Sequence, residues 1–90
     1  TLRYETYVMP APEENEQLLY ENLLRRNERL VGAHFSIGGE DAVFLRGELP
    51  THAVDKAGVD RILGTLYATV EQTFTQLLKI GYASRFTDDG

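Results

Sequence analysis

The feature that most constrains this chain is a single long amphipathic stretch, Asp55 to Gly81, with sequence DKAGVDRILGTLYATVEQTFTQLLKIG. Its apolar residues are Val59, Ile62, Leu63, Leu66, Tyr67, Val70, Phe74, Leu77 and Leu78. Steps of three and four put them on one face of an α-helix. Asp60, Arg61, Thr65, Glu71, Gln72, Thr75 and Lys79 suit the opposite, wet face. Asp55 is placed to cap the N-terminus, with Val54 and Val59 as a hydrophobic staple. Gly81 stands where a left-handed residue would end the helix. Val70 and Phe74, midway along the stripe, are expected to be nearly fully buried. A helix this apolar on one side cannot stand alone, because ordering it costs chain entropy that only burial offsets.

The rest of the chain supplies the surface it needs. Leu2 to Met9 (LRYETYVM) alternates, with Leu2, Tyr4, Thr6 and Val8 on one side and Arg3, Glu5, Tyr7 and Met9 on the other, which predicts a strand. Met9-Pro10-Ala11-Pro12 stops it, since proline cannot donate to a ladder. Pro12 suits the first turn of a helix, and Glu13, Glu14 and Glu16 suit the positive end of its dipole. That helix runs on through QLLYENLLRRNERL, with Leu19, Leu23 and Leu30 as its core stripe, Tyr20 and Leu24 beside them, and Asn27 as a terminator.

Leu30 to Ile37 reads as a second strand. Val31, Ala33, Phe35 and Ile37 face one way; Gly32, His34 and Ser36 face the other. Gly38-Gly39-Glu40-Asp41 is a turn in which the glycines are free to take positive φ. Ala42 to Leu49 is a third strand, with Val43, Leu45 and Leu49 opposed to Phe44, Arg46 and Glu48. Tyr82 to Phe86 is expected to continue as a short strand or docked tail, and Thr87 to Gly90 to fray. The order β-α-β-β-α predicts an α+β fold of two layers, with helices packed on one face of a small antiparallel sheet. Residues 1–90 form a single domain. A strand at the very start of the chain suggests that elements upstream of it complete the sheet.

Composition narrows the function classes. A net charge of -5 argues against general affinity for nucleic-acid backbones. No run of apolar residues is long enough to span a membrane. The chain has no cysteine, which removes disulfide and thiolate chemistry and fits the cytoplasm. His34 and His52 are the two histidines, and neither has a Ser or Asp at a spacing that marks a triad. With no cysteine and no HExxH, no metal site is expected, and no cofactor. Gly38-Gly39 lacks the P-loop lysine and is followed by two acids that would repel phosphate. Arg25, Arg26 and Arg29 form a basic cluster best read as a solvated helix end.

One constellation is different. Tyr7, His34, Phe44 and Arg46 all project from the strand faces opposite the expected core, with Arg3 and Glu48 around them. Aromatics ringed by charges on an exposed sheet face are the composition of a partner surface. The alternative is a small enzyme or ligand-binding domain in which His34 works with nearby carboxylates; it predicts a deep cavity holding His34 and an acid.

Taken together, ENEQLLYENLLRRNERL, VFLRGELP and VDRILGTLYATVEQTFTQLLKIGYAS resemble the bacterial YbjN domain family over roughly residues 2–86. That family is similar in fold to type III secretion chaperones. The resemblance implies a chaperone-like module that binds a protein or peptide client, is often dimeric, and is sometimes described as a sensory transduction regulator. It carries no catalytic residue. Family members usually have a helix and one or more strands before the segment that matches Leu2 to Met9. A homodimer or a peptide groove is therefore expected on the outer sheet face or its edge. The second choice is the outer side of the long helix, at Gly64, Thr65 and Ala68.

Overall fold

The computed structural model describes residues 1–86. Strand β1 (Leu2–Met9) is followed by helix α1 (Glu16–Asn27), strands β2 (His34–Ile37) and β3 (Val43–Leu49), and helix α2 (Lys56–Gly81). The sheet is antiparallel throughout, in the order β1-β3-β2. The two helices cover one face, and the expected α+β two-layer fold is present. The expected fraying of Thr87 to Gly90 lies outside the described residues.

The core is built where the inward faces of the strands meet the helices. Met9, Leu19, Val43, Leu45 and Leu77 are its largest fully buried side chains, and Val8, Leu23, Phe35 and Leu66 complete it. In β3 the alternation holds: Val43 and Leu45 are buried while Phe44 and Arg46 look outward. In β1 it holds only as far as Tyr7. Tyr7 pairs with Phe44 and Met9 with Val43, so Val8 is an extra, bulged residue. A bulge restarts the alternation. Val8 and Met9 are therefore buried in succession, and Met9 belongs to the core rather than to the outer face that strict alternation assigns it.

Strand β2 is shorter than its pattern suggests. Gly32 has φ +84, outside the strand region, and the Tyr4 hydroxyl donates to its carbonyl oxygen. Val31 is consequently out in solvent. Gly47, on β3, is glycine for space: a Cβ there would run into the Gly32 carbonyl and the Tyr4 ring. The free edge of β2 is covered by α1. Asn27 donates from Nδ2 to the Phe35 carbonyl (3.2 Å), and its Oδ1 accepts from the Phe35 amide (2.6 Å), standing in for a further strand. Between β2 and β3, positive φ falls on Glu40 (57°) and Asp41 (59°), not on the glycines. Gly38 is small for another reason: a Cβ would lie 2.5 Å from the Phe44 ring.

Helix α1 starts later than the proline and acids suggest. Asn15 takes the left-handed conformation (φ 56°) just before it, and its Nδ2 donates to the Ile80 carbonyl at 2.9 Å. Glu13 and Glu14 precede the helix and do not serve its dipole. Their amides both donate to the Gly81 carbonyl, at 2.9 and 3.0 Å. The Glu13 carboxylate accepts two hydrogen bonds from Arg85, and that of Glu14 accepts from the Ser84 amide. Tyr82 adds a bond from its hydroxyl to the Ala11 carbonyl, 2.5 Å. The tail is thus docked, as a 3-10 turn over Ala83–Phe86. Of the other leucines of α1, Leu24 is exposed, not part of the core.

Helix α2 starts as its sequence predicts: Asp55 accepts from the Gly58 amide at 2.7 Å. Its rotation differs. Gly58, Leu66, Thr69, Thr73, Leu77 and Gly81 are buried, whereas Phe74 is 38% exposed, Leu63 59% and Tyr67 64%. Val70 is half-buried. The reason lies at the two glycines. Gly81 stays helical instead of capping; a Cβ on it would sit 3.0 Å from Pro12 Cβ and 3.1 Å from the Met9 methyl. A Cβ on Gly58 would sit 2.9 Å from the Ala53 carbonyl. Gly81 thus packs against Pro12 and Met9, and Gly58 against the turn that precedes the helix with Leu49 behind it, and the buried line runs between them. Thr73 is tolerated on the buried face because its hydroxyl donates to the Thr69 carbonyl (2.7 Å).

Two outcomes are expected. In dilute solution Leu77→Ala lowers the urea-unfolding free energy by about 2–5 kcal/mol, and Phe74→Ala by less than half as much. Arg85 beside Glu13 and the Ser84 amide beside Glu14 hold both carboxyls below the usual glutamate value of 4.5. A depressed carboxyl pKa contributes stability that is present above 4.5 and lost as pH falls through the folded value. Urea midpoints followed from pH 7 to strongly acidic pH should therefore drop less steeply in a Glu13→Gln, Glu14→Gln variant than in the unaltered chain.

Candidate functional site

The outer face of the sheet is assembled in rows by the pairing of the strands. Tyr7 lies beside Phe44 and Phe44 beside Ser36; Glu5 lies beside Arg46 and Arg46 beside His34; Arg3 lies beside Glu48. No helix among the described residues covers this face. All four residues singled out in the sequence, Tyr7, His34, Phe44 and Arg46, thus come together on one surface.

Their contacts run as a chain. The Tyr7 and Phe44 rings meet edge to face with centroids 5.7 Å apart. The Arg46 guanidinium lies 4.6 Å from the centre of the Phe44 ring, a cation-π contact, and its Nε donates to Glu5 Oε1 at 2.7 Å. Gly38 lets the hairpin loop come close to Phe44 and to Arg46, since a Cβ would lie 2.8 Å from Arg46 Nη2. Tyr7 is 55% exposed. Ser36 Oγ is buried beside this cluster without a hydrogen-bond partner among the described residues.

Next to the aromatic pair is an open hollow of about 480 Å³, lined by Arg3, Glu5, His34, Arg46 and Glu48 with the backbone around Tyr4 and Gly47. This is where a His34-based enzyme would work. The geometry gives it little to work with. Glu5 is engaged by Arg46, and Glu48 lies 3.9 Å from Arg3. His34 is exposed, and its side chain makes no hydrogen bond among the described residues. His52 is exposed in the turn before α2. Among the described residues no three histidines or carboxylates gather as metal ligands. No described helix is long and apolar enough to cross a membrane.

The basic cluster on α1 has local partners. Arg25 pairs with Glu21 at 2.8 Å, and Arg26 donates to Asn22 (2.5 Å) and to Gln76 of α2 (2.7 Å), fastening the helices together. What the sequence pattern missed is a second exposed surface. Leu63, Tyr67 and Phe74 line the side of α2 next to β1, where a groove of about 390 Å³ is bounded by Glu5, Thr6, Leu63, Leu66, Tyr67, Val70 and Glu71. The signal for it was the glycine at each end of the other face.

The sequence model of the YbjN family, described as "Putative bacterial sensory transduction regulator", matches residues 1–79. Uncharacterized proteins of Mycobacterium tuberculosis and Mycobacterium bovis are each 37% identical to this chain over 84 residues. One of Mycobacterium leprae is 32% identical over 84 residues. In each case the match covers 93% of this chain and 46% of the relative, so the chain spans about half the length of these relatives. No solved structure matches it.

The exposed Glu5–Arg46 pair is a surface interaction in spite of its short distance. A double-mutant cycle with Glu5→Ala and Arg46→Ala should give a coupling of about 0.2–1 kcal/mol. It should shrink further in high salt.

Proposed function

The chain belongs to the YbjN family, and on that premise we propose that this domain is a non-enzymatic, chaperone-like module that holds a protein or peptide client. It works as a homodimer in the bacterial cytoplasm and binds neither membrane nor nucleic acid. The observation that carries this reading is the uncovered cluster of Tyr7, Phe44 and Arg46, with His34 at its rim. Two aromatic rings and an arginine bury much area at little entropic cost, and such residues dominate binding energy at interface centres. Here they stand next to the edge of β1, which among the described residues pairs on one side only. An extended client laid along that edge gains main-chain hydrogen bonds from the strand, and pockets for its side chains from the aromatics.

The alternative enzyme reading lacks its required feature, a deep cavity in which His34 faces an unengaged acid. The open hollow and the arginine-held carboxylates favour recognition over proton transfer.

The test is direct binding to an array of immobilised short peptides rich in alternating apolar residues. Peptides that bind the unaltered chain should lose more than about tenfold in affinity, or 1.4 kcal/mol, with Phe44→Ala or Tyr7→Ala. His34→Ala should change it little. Binding that survives both aromatic substitutions would overturn the assignment of the surface.

A further inference from the structure

The face that α2 turns to solvent beside β1 is apolar along most of the helix. Leu63, Tyr67 and Phe74 are exposed along it, and Val59, Val70 and Leu78, the last two packed against the core, are half-buried at its margin. Leu63, Tyr67 and Phe74 stand in line over about three helical turns, a contiguous patch and not singly scattered apolar residues. They are distinct from the helix side bearing Gly64 and Ala68, where a Cβ on Gly64 would meet nothing.

The spacing identifies the occupant. Along the chain the six positions are separated by four, four, three, four and four residues. That series reads the same in both directions, with its centre between residues 68 and 69. An interface between two identical chains related by a two-fold axis must be self-complementary. An antiparallel second α2 laid on this stripe about that centre sets Val59 against Leu78, Leu63 against Phe74 and Tyr67 against Val70. Each apolar position meets an apolar position, and the mixed steps of three and four are those of helices packed side by side. The groove between α2 and β1 supplies an independent observation: it is lined by Tyr67 and Val70, and so lies at the centre of the stripe, where a second copy's Tyr67 and Val70 would enter.

We infer that the second copy of this chain docks through α2, antiparallel, with the two-fold axis between residues 68 and 69. The inference rests on the proposed dimer for its oligomeric state and adds which surface makes it. The outer sheet face, on the opposite side of the sheet from the helices, is left free for a client. The seam from Val59 to Leu78 is about 28 Å long at 1.5 Å per residue.

Light scattering at micromolar concentration should show a dimer. Leu63→Glu with Phe74→Glu should convert it to a monomer with unchanged helical circular dichroism, since both side chains are exposed. Tyr7→Glu with Phe44→Glu should leave the dimer whole. The register is read by oxidation, which the absence of cysteine makes clean. An equimolar mixture of Leu63→Cys and Phe74→Cys chains should form a covalent dimer. Either variant alone should not, because two copies of one position lie about 16 Å apart along the seam, beyond disulfide reach. A monomer at all concentrations would overturn both the dimer and the seam. A dimer split by the sheet-face pair, and untouched by Leu63→Glu with Phe74→Glu, would overturn the seam alone.

Discussion

The close approach of α2 to the chain at Gly58 and Gly81 is the constraint on which the rest depends. At each end the nearest neighbouring atoms lie about 3 Å from where a Cβ would sit. Any rotation of the helix would bring a larger residue into those contacts. Once the two ends are set, the buried line runs through Leu66, Thr69, Thr73 and Leu77. Burial of two threonines in place of Phe74 and Tyr67 gives up apolar area. It is sustainable because Thr73 satisfies its hydroxyl within the helix. The Gly81 carbonyl, in turn, receives both amides of the Glu13-Glu14 turn, so the end of α2, the approach to α1 and the C-terminal turn form one hydrogen-bonded joint.

The sheet is correspondingly asymmetric. One edge, β2, is closed by the Asn27 amide, whose two hydrogen bonds to Phe35 occupy the groups another strand would use. The other edge, β1, has no strand partner among the described residues, and beside it lie both exposed surfaces: the Tyr7–Phe44–Arg46 cluster on the outer face and the α2 stripe on the inner side. An unpaired strand edge presents main-chain groups that can pair with a further strand. The two surfaces share no residue.

How much of this could be read from the residues depended on range. The three strands, the two helices and the two-layer arrangement followed from periodicity. So did the Asp55 cap, since it is a contact across three residues. The outer-face cluster was legible because strand alternation put Tyr7, Phe44, Arg46 and His34 on one side, and pairing merely had to bring the strands into register. Met9 was misplaced because a bulge shifts alternation by one, and nothing in LRYETYVM announces it. Glu13 and Glu14 looked like helix-dipole acids; their partners Arg85 and Ser84 lie some seventy residues away in sequence.

By itself, then, the sequence determined the elements, their amphipathic character, the family to which the chain belongs, and the residues of the outer sheet face. These rest on local steric preferences and on periods of 2 and 3.6 residues, which need no knowledge of distant partners. Only the tertiary structure decided which of two adjoining stripes of α2 is buried. A helix with apolar residues over a wide arc can be turned several ways against a sheet at similar hydrophobic gain. The choice falls to close contacts between residues far apart in the chain, here Gly81 against Pro12 and Met9, and it is those contacts that leave Leu63, Tyr67 and Phe74 in water.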